Sequence, residues 1–326
     1  MTGAAPERVV YAFADFREMV IGTLRRARQA HAATRIFVLY DPGRGDPLNW
    51  LEDKTRSTLV FPILDIVAEK RPRLIELDCR RSAPYMLETD PALDDPWLEA
   101  SVTHAYRYVV EAPLALEDDP KRAIRGWFAT IDPAIHVVRR FMQTAHHMPT
   151  RISGMWAWHD PAAVAHLWET MTPLQKGSLL GPNTTWVGLD AVGRLFGFAA
   201  GASANPLSQP AHLSAQQLER ARRVPMVNRL LGNWYASAPR VPDDAIKRLH
   251  DRLEHPLASG LDGPDLAAFA LATIELADSF GQDSRWQRLM QEPRAIGALG
   301  DALQNMPAEA WTDHLPPGHR AVESLK

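Results

Sequence analysis

The chain has 326 residues, 46% hydrophobic and 23% charged, which is enough for one large domain or two ordinary ones around a real core. Its 36 Lys and Arg against 39 Asp and Glu give a formal charge of −3. Without a basic surplus, nucleic acid is excluded as the main partner. A single Cys excludes a disulfide framework and a cysteine-rich zinc site, and it fits a reducing compartment.

The opening Met1–Arg8 lacks the charged start and apolar stretch of a signal peptide. No window reaches the roughly 18 apolar residues of a membrane span. The expectation is a protein with no stable membrane insertion that stays in the cytoplasm.

Val9–Ala14 is an apolar run of strand length, and Asp15 is placed to cap a helix starting near Phe16. Met19, Val20, Thr23, Leu24 and Ala27 then recur at helical spacing. Arg35–Tyr40 is the clearest strand, rich in β-branched and aromatic residues, and the proline- and glycine-marked segment 41–47 ends it as a loop. Thr58–Phe61 and Arg73–Leu77 are two further strand candidates. Strand, helix, strand order predicts a small sheet with helices against it.

Asp160 before Pro161 predicts a helix start, an N-cap acceptor followed by proline at the first helical position. Val164, Leu167, Trp168 and Met171 fall on one face of that helix. Thr172-Pro173-Leu174-Gln175 reads as a capping box and Gly181-Pro182 as the stop. Trp186–Leu189 and Leu195–Phe198 are expected strands. The small, polar, proline-marked segment 201–211 is the expected linker. Beyond it the pattern is helical: Ser214 with Gln217 as a capping box, Ile246, Leu249 and Leu253, then a stripe from Leu266 to Ala277, and Trp286, Leu289 and Met290 opening another. The last dozen residues are expected to fray. The predicted fold class is α+β, with a mixed α/β lobe and small sheet over 1–200, a linker at 201–211, and an all-helical lobe over 212–326.

Motifs for chemistry are near misses. Gly43 and Gly45 follow a strand, but no third glycine follows and prolines flank them, so the segment reads as a turn. Gly201-Ala202-Ser203-Ala204-Asn205 lacks the closing glycine of a nucleophile elbow. His146 and His147 are adjacent, and His159 and His166 are seven apart, neither spacing suiting one zinc. Cys79 lies beside Arg80 and Arg81, which could lower its pKa, though a lone Cys ending a strand is more often packed. No catalytic, metal or cofactor-binding residue is assigned. Trp156 and Trp158 bracket Ala157 and would share a face of a strand. That serves either core packing or an aromatic anchor for a partner.

The middle of the chain runs Trp156-Ala157-Trp158-His159-Asp160-Pro161, a helical segment, Thr172-Pro173-Leu174-Gln175, Gly181-Pro182 and Trp186. Earlier come Tyr11–Asp15, the strand end Leu39-Tyr40-Asp41, Phe61-Pro62-Ile63-Leu64 and Asp95-Pro96-Trp97-Leu98. In that order these segments resemble the adaptor/chaperone family of type VI secretion effectors, Tap or TEC, over roughly residues 9–195. Ala157 stands where that family usually has an arginine. The resemblance implies a cytoplasmic protein of a Gram-negative bacterium that binds a secreted toxin effector near its N-terminal segment and helps load it onto the VgrG spike. It implies no cofactor and no turnover. Trp156, Trp158, Asp160 and Pro161 are the candidate partner-binding residues, with Asp160 expected chiefly to cap its helix. The alternatives are an immunity protein that blocks a toxin, and a hydrolase whose site is assembled from distant residues such as His104 or His159 with an acid.

Overall fold

The computed structural model describes residues 12–41, 60–62, 85–89, 95–111, 123–146, 158, 160–201, 212–237, 241–261, 263–292 and 295–315. In chain order the elements are α1 (Phe13–Ala30), β1 (Arg35–Tyr40), β2 (Val60–Pro62), β3 (Tyr85–Thr89), α2 (Pro96–Glu111), β4 (Ile124–Thr130) and α3 (Ala134–His146). There follow α4 (Pro161–Trp168), α5 (Pro173–Leu180), β5 (Thr184–Leu189), β6 (Leu195–Ala200), α6 (Ala215–Ser237), α7 (Ala245–Leu253), α8 (Gly263–Thr273), α9 (Ser284–Gln291), α10 (Leu299–Gln304) and α11 (Ala308–Thr312). This is the expected α+β class with a helical C-terminal portion. No helix among the described residues is long and apolar enough to cross a membrane.

Among the described residues six strands form one sheet in the order β2-β3-β1-β4-β5-β6, and every neighbouring pair is antiparallel. β4 sits inside it and is buried at all seven positions. One face packs on α1 and α2, where Phe16, Val20 and Leu24 meet Leu98, Val102 and the sheet's Ile36, Val38, Trp127 and Val187. The buried Trp127 indole donates to Ser101 Oγ at 2.8 Å, which satisfies the one polar atom that ring buries. On the opposite face Phe128 stacks on Trp186 with ring centroids 5.0 Å apart. Phe141 of α3 packs edge-on against both, and Trp168 of α4 against Phe198 of β6.

Several local expectations hold. Asp160 accepts from Ala162 N with Pro161 at the first helical position, and Val164, Leu167, Trp168 and Met171 are all buried. Thr172 and Gln175 form both halves of a capping box. Gly181 ends α5 at φ 85, and a Cβ there would lie 2.2 Å from the Arg140 guanidinium. Arg140 takes that space, donating to Leu180 O at 2.8 Å and pairing with Asp132.

The start of the chain differs from expectation. Phe13 and Ala14 belong to a helix, not to a strand, and α1 begins three residues before Phe16 with no side-chain cap at Ala12. Phe13, Phe16, Val20 and Leu24 supply a helical period that the short apolar run disguises. Asp15 sits in the first turn. The apolar stripe predicted to Ala277 leaves helical structure after Thr273, and Ala277 is exposed. The Arg73–Leu77 candidate, Thr58, Leu59 and the last eleven residues lie outside the described residues.

The chain divides into two compact units, Met1–Asn228 and Arg229–Lys326. Residues 212–228 thus group with the sheet, not with the helical portion, and the expected linker at 201–211 lies outside the described residues save for Gly201. A pair of interlocked caps explains the grouping. Ser214 and Gln217 form the second capping box, with Ser214 N donating to Gln217 Oε1 at 2.8 Å and Gln217 N to Ser214 Oγ at 3.2 Å. The two box glutamines then bond each other: Gln175 Nε2 to Gln217 Oε1 at 2.9 Å and Gln217 Nε2 to Gln175 Oε1 at 3.0 Å. Their remaining amide hydrogens go to His212 O and Thr170 O, both at 2.8 Å. The start of α6 is therefore clasped to the start of α5 by a network with every amide used.

The second unit has its own core of Phe269, Phe280, Trp286, Leu289, Leu299 and Leu303. Trp286 Nε1 donates to Ala310 O at 3.0 Å. Asp265 accepts from Gly297 N and Leu299 N, both at 2.9 Å, which fixes the approach to α10.

Candidate functional site

The site grows from an irregularity in the sheet. Between β1 and β4 the register runs Leu39↔Gly126 and then Tyr40↔Ile124. Arg125 is the extra residue of a β-bulge, which turns a side chain out of the regular alternation. Gly126 follows at φ 132. A Cβ on it would lie 2.3 Å from Val187 O and 2.5 Å from Trp186 Nε1, so both backbone and space demand glycine. Trp186 Nε1 donates to Arg125 O at 3.3 Å.

The bulge delivers a guanidinium to two carboxylates. Arg125 Nη2 donates to Asp41 Oδ2 at 3.0 Å and Nη1 to Asp160 Oδ2 at 2.6 Å. Side-chain exposures are 4% for Arg125, 10% for Asp41 and 20% for Asp160. Asp41 is the first residue beyond β1, held by its N–H on Ala123 O at 2.6 Å. Asp160 does two things at once, since its other oxygen, Oδ1, accepts from Ala162 N at 3.0 Å. Pro161 packs on Gly188, where a Cβ would lie 2.4 Å from the proline's own. One arginine thus ties the end of β1, the bulge of β4 and the start of α4 together.

Of the four sequence-predicted residues, Asp160 and Pro161 stand at this junction. Trp158 is in a turn and 2% exposed, so it packs inside the lobe. Trp156 lies outside the described residues, as do Ala157, His159, Cys79 and His147. Asp160, expected to act as a cap, is also one arm of a buried ion pair. The arginine that meets it comes from a strand 35 positions earlier in the sequence. A signal for it existed: a lone charge in the apolar run Ala123–Ala129 needs a partner if that run is buried.

One helical turn beyond Pro161, His166 is buried and pairs with Asn228 Oδ1 through Nε2 at 2.7 Å. Burial pushes its pKa down from 6.5 to about 4, against the bond to Asn228 and the fields of Asp190 and Asp160, which act upward. Asp190 is satisfied in the β5–β6 turn, accepting from Val192 N, Arg194 N and Arg194 Nε at 3.0, 2.8 and 2.7 Å. A neutral buried histidine disfavours the fold once it must take up a proton. The unfolded chain binds that proton below about pH 6.5 and the folded chain only below about pH 4, so stability falls as pH drops through that window and levels off beneath it. The loss attributable to His166 is on the order of 3 kcal/mol, from a pKa held at about 4 in the fold against 6.5 in the unfolded chain. Urea unfolding at pH 7 and pH 4.5 is expected to show a difference that His166→Gln reduces by that order. An unchanged difference would contradict the account.

A serine, a histidine and a carboxylate also line up in the second unit: Ser279 Oγ is 3.3 Å from His314 Nδ1, and His314 Nε2 is 2.9 Å from Asp283 Oδ2. Asp283 is nevertheless the N-cap of α9, accepting from Arg285 N at 2.8 Å. The Arg285 guanidinium, with help from His314, holds its carboxyl well below the usual range. The cluster is a clamp on a helix start, with its carboxylate already neutralised by a cation. Among the described residues no group of three or more His, Cys, Asp or Glu is placed to hold a metal ion. His104 lies half-buried on α2.

Compared with protein-family models, with curated proteins and with solved structures, the chain finds no match.

Proposed function

We propose that this chain is an adaptor that binds a secreted toxin of a type VI secretion system and helps load it onto the VgrG spike, without catalysing a reaction. One observation supports the reading above the others. Three of the segments that resemble the adaptor family meet at a single residue: Asp41 closing the Leu39–Asp41 strand end, Asp160 of the Asp-Pro step, and Trp186 beyond Gly181-Pro182 all contact Arg125. Segments far apart in the chain form one structural unit, as a family motif set does when it encodes a scaffold. The place that the family's arginine holds before its aromatic pair is taken by Ala157, and Arg125 supplies the cation to Asp160 from the sheet.

The test is capture of the tagged full chain from its native cytoplasm, with bound proteins identified by mass spectrometry. One large toxin, with or without the VgrG spike, is the expected recovery. A toxin held only through its catalytic domain would replace the adaptor reading with that of an immunity protein, and no stable partner at all would overturn it.

A further inference from the structure

The two ends of the sheet are built differently. The described part of β2, Val60–Pro62, carries a proline, and proline in a strand resists further pairing. β6 is six residues, Leu-Phe-Gly-Phe-Ala-Ala, with no charge and no proline. Among the described residues it is the last strand of the sheet. It pairs with β5 without a register shift. Among the described residues its backbone has no other hydrogen-bond partner. Gly197 and Ala199 are exposed, and nothing lies within 4 Å of where a Cβ on Gly197 or Gly201 would sit. Among the described residues it shows no charge, proline or bulge of the kind that blunts an edge.

We propose that β6 is a self-association edge: two copies of this chain pair antiparallel through it, joining their sheets into one. A second copy fits for two reasons. A two-fold axis perpendicular to the sheet places residues of like parity opposite each other, because paired side chains must share a face. Centred on Phe198, that register sets Gly197 against Ala199, Phe196 against Ala200 and Leu195 against Gly201, so each larger side chain flanking the axis meets a small one. Electrostatics agree, for the strand carries no charge. The cation that precedes it, Arg194, is neutralised within its own turn by Asp190 at 2.7 Å. Like charges therefore do not face each other across the axis. The inference is independent of the adaptor reading.

The test is the mass of the full chain in solution over a dilution series, by light scattering and sedimentation equilibrium. The wild type is expected at twice the mass of the chain at high concentration. Ala199→Lys, which places a charge on the edge, is expected to halve that mass while circular dichroism and the thermal midpoint stay unchanged. Gly197→Lys serves the same purpose should the first variant fold poorly, since the space above Gly197 is open. Leu174→Lys, an exposed leucine on α5, is expected to leave the mass doubled. A wild type that is monomeric throughout, or a dimer that survives both edge lysines, would overturn the proposal.

Discussion

Arg125→Leu is expected to lower the unfolding free energy of the sheet lobe by about 3–5 kcal/mol, because it strands two carboxylates in a site where the guanidinium is their shared partner. The pair geometry is good and the cation is almost wholly withdrawn from water, so little of the effect is screened. The same substitution with Asp41→Asn and Asp160→Asn is expected to recover part of the loss, since no uncompensated charge then remains. Asp160→Ala loses both cap and ion pair. Asp160→Asn keeps a capping oxygen and is expected to be milder by about 1 kcal/mol. Denaturant unfolding of the four variants checks this. If Arg125→Leu lay within about 0.5 kcal/mol of wild type, the range of an ordinary surface change, Arg125 would not hold the lobe together.

Gly126→Ala carries the second large effect, expected at about 2–6 kcal/mol from two sources that act together. A side chain at φ 132 is strained by about 1–3 kcal/mol wherever it sits. Here its Cβ would also press on Val187 O and the Trp186 indole, and forced repacking costs about 1–3 kcal/mol more. Relief by backbone movement would flatten the bulge and swing Arg125 away from Asp41 and Asp160. Loss of stability should therefore come with loss of the coupling between positions 125 and 160 in a double-mutant cycle. A stable Gly126→Ala protein with that coupling intact would contradict the bulge account.

What the sequence revealed and what it concealed follow the range of the interactions. The Asp160-Pro161 start, the Thr172–Gln175 and Ser214–Gln217 boxes and the Gly181 stop were legible because each is completed within a few residues. The strand Arg35–Tyr40 and the β5–β6 hairpin were legible from β-branched and aromatic runs with a turn between them. β4 gives no such signal, because a strand buried on both faces shows no alternation. The two capping boxes were visible singly, but their clasp joins residues 42 apart, which no local pattern states. The same holds for Arg125, whose partners lie 84 positions before it and 35 after it. At the N-terminus a short apolar run satisfied both strand and helix patterns, and packing of Phe16, Val20 and Leu24 against the sheet decided for helix.

The candidate contact residues take a different meaning from this geometry. Trp158 and Pro161 are buried in the lobe, and Asp160 is engaged by a cap and an ion pair. They shape the lobe, and under the adaptor proposal a change at any of them is expected to reach a partner through the fold. Asp160→Ala is thus expected to weaken folding more than partner choice, which a binding assay run well below the melting temperature separates.

The measurement that tests the functional claim most directly is toxin delivery by bacteria that lack this chain, alone and with the chain restored. The adaptor account predicts that the toxin is made but no longer associates with VgrG or reaches target cells, and that the restored chain returns both. Delivery that continues unchanged without the chain would contradict it. So would self-poisoning that a catalytically dead toxin relieves, which is the behaviour of a lost immunity protein.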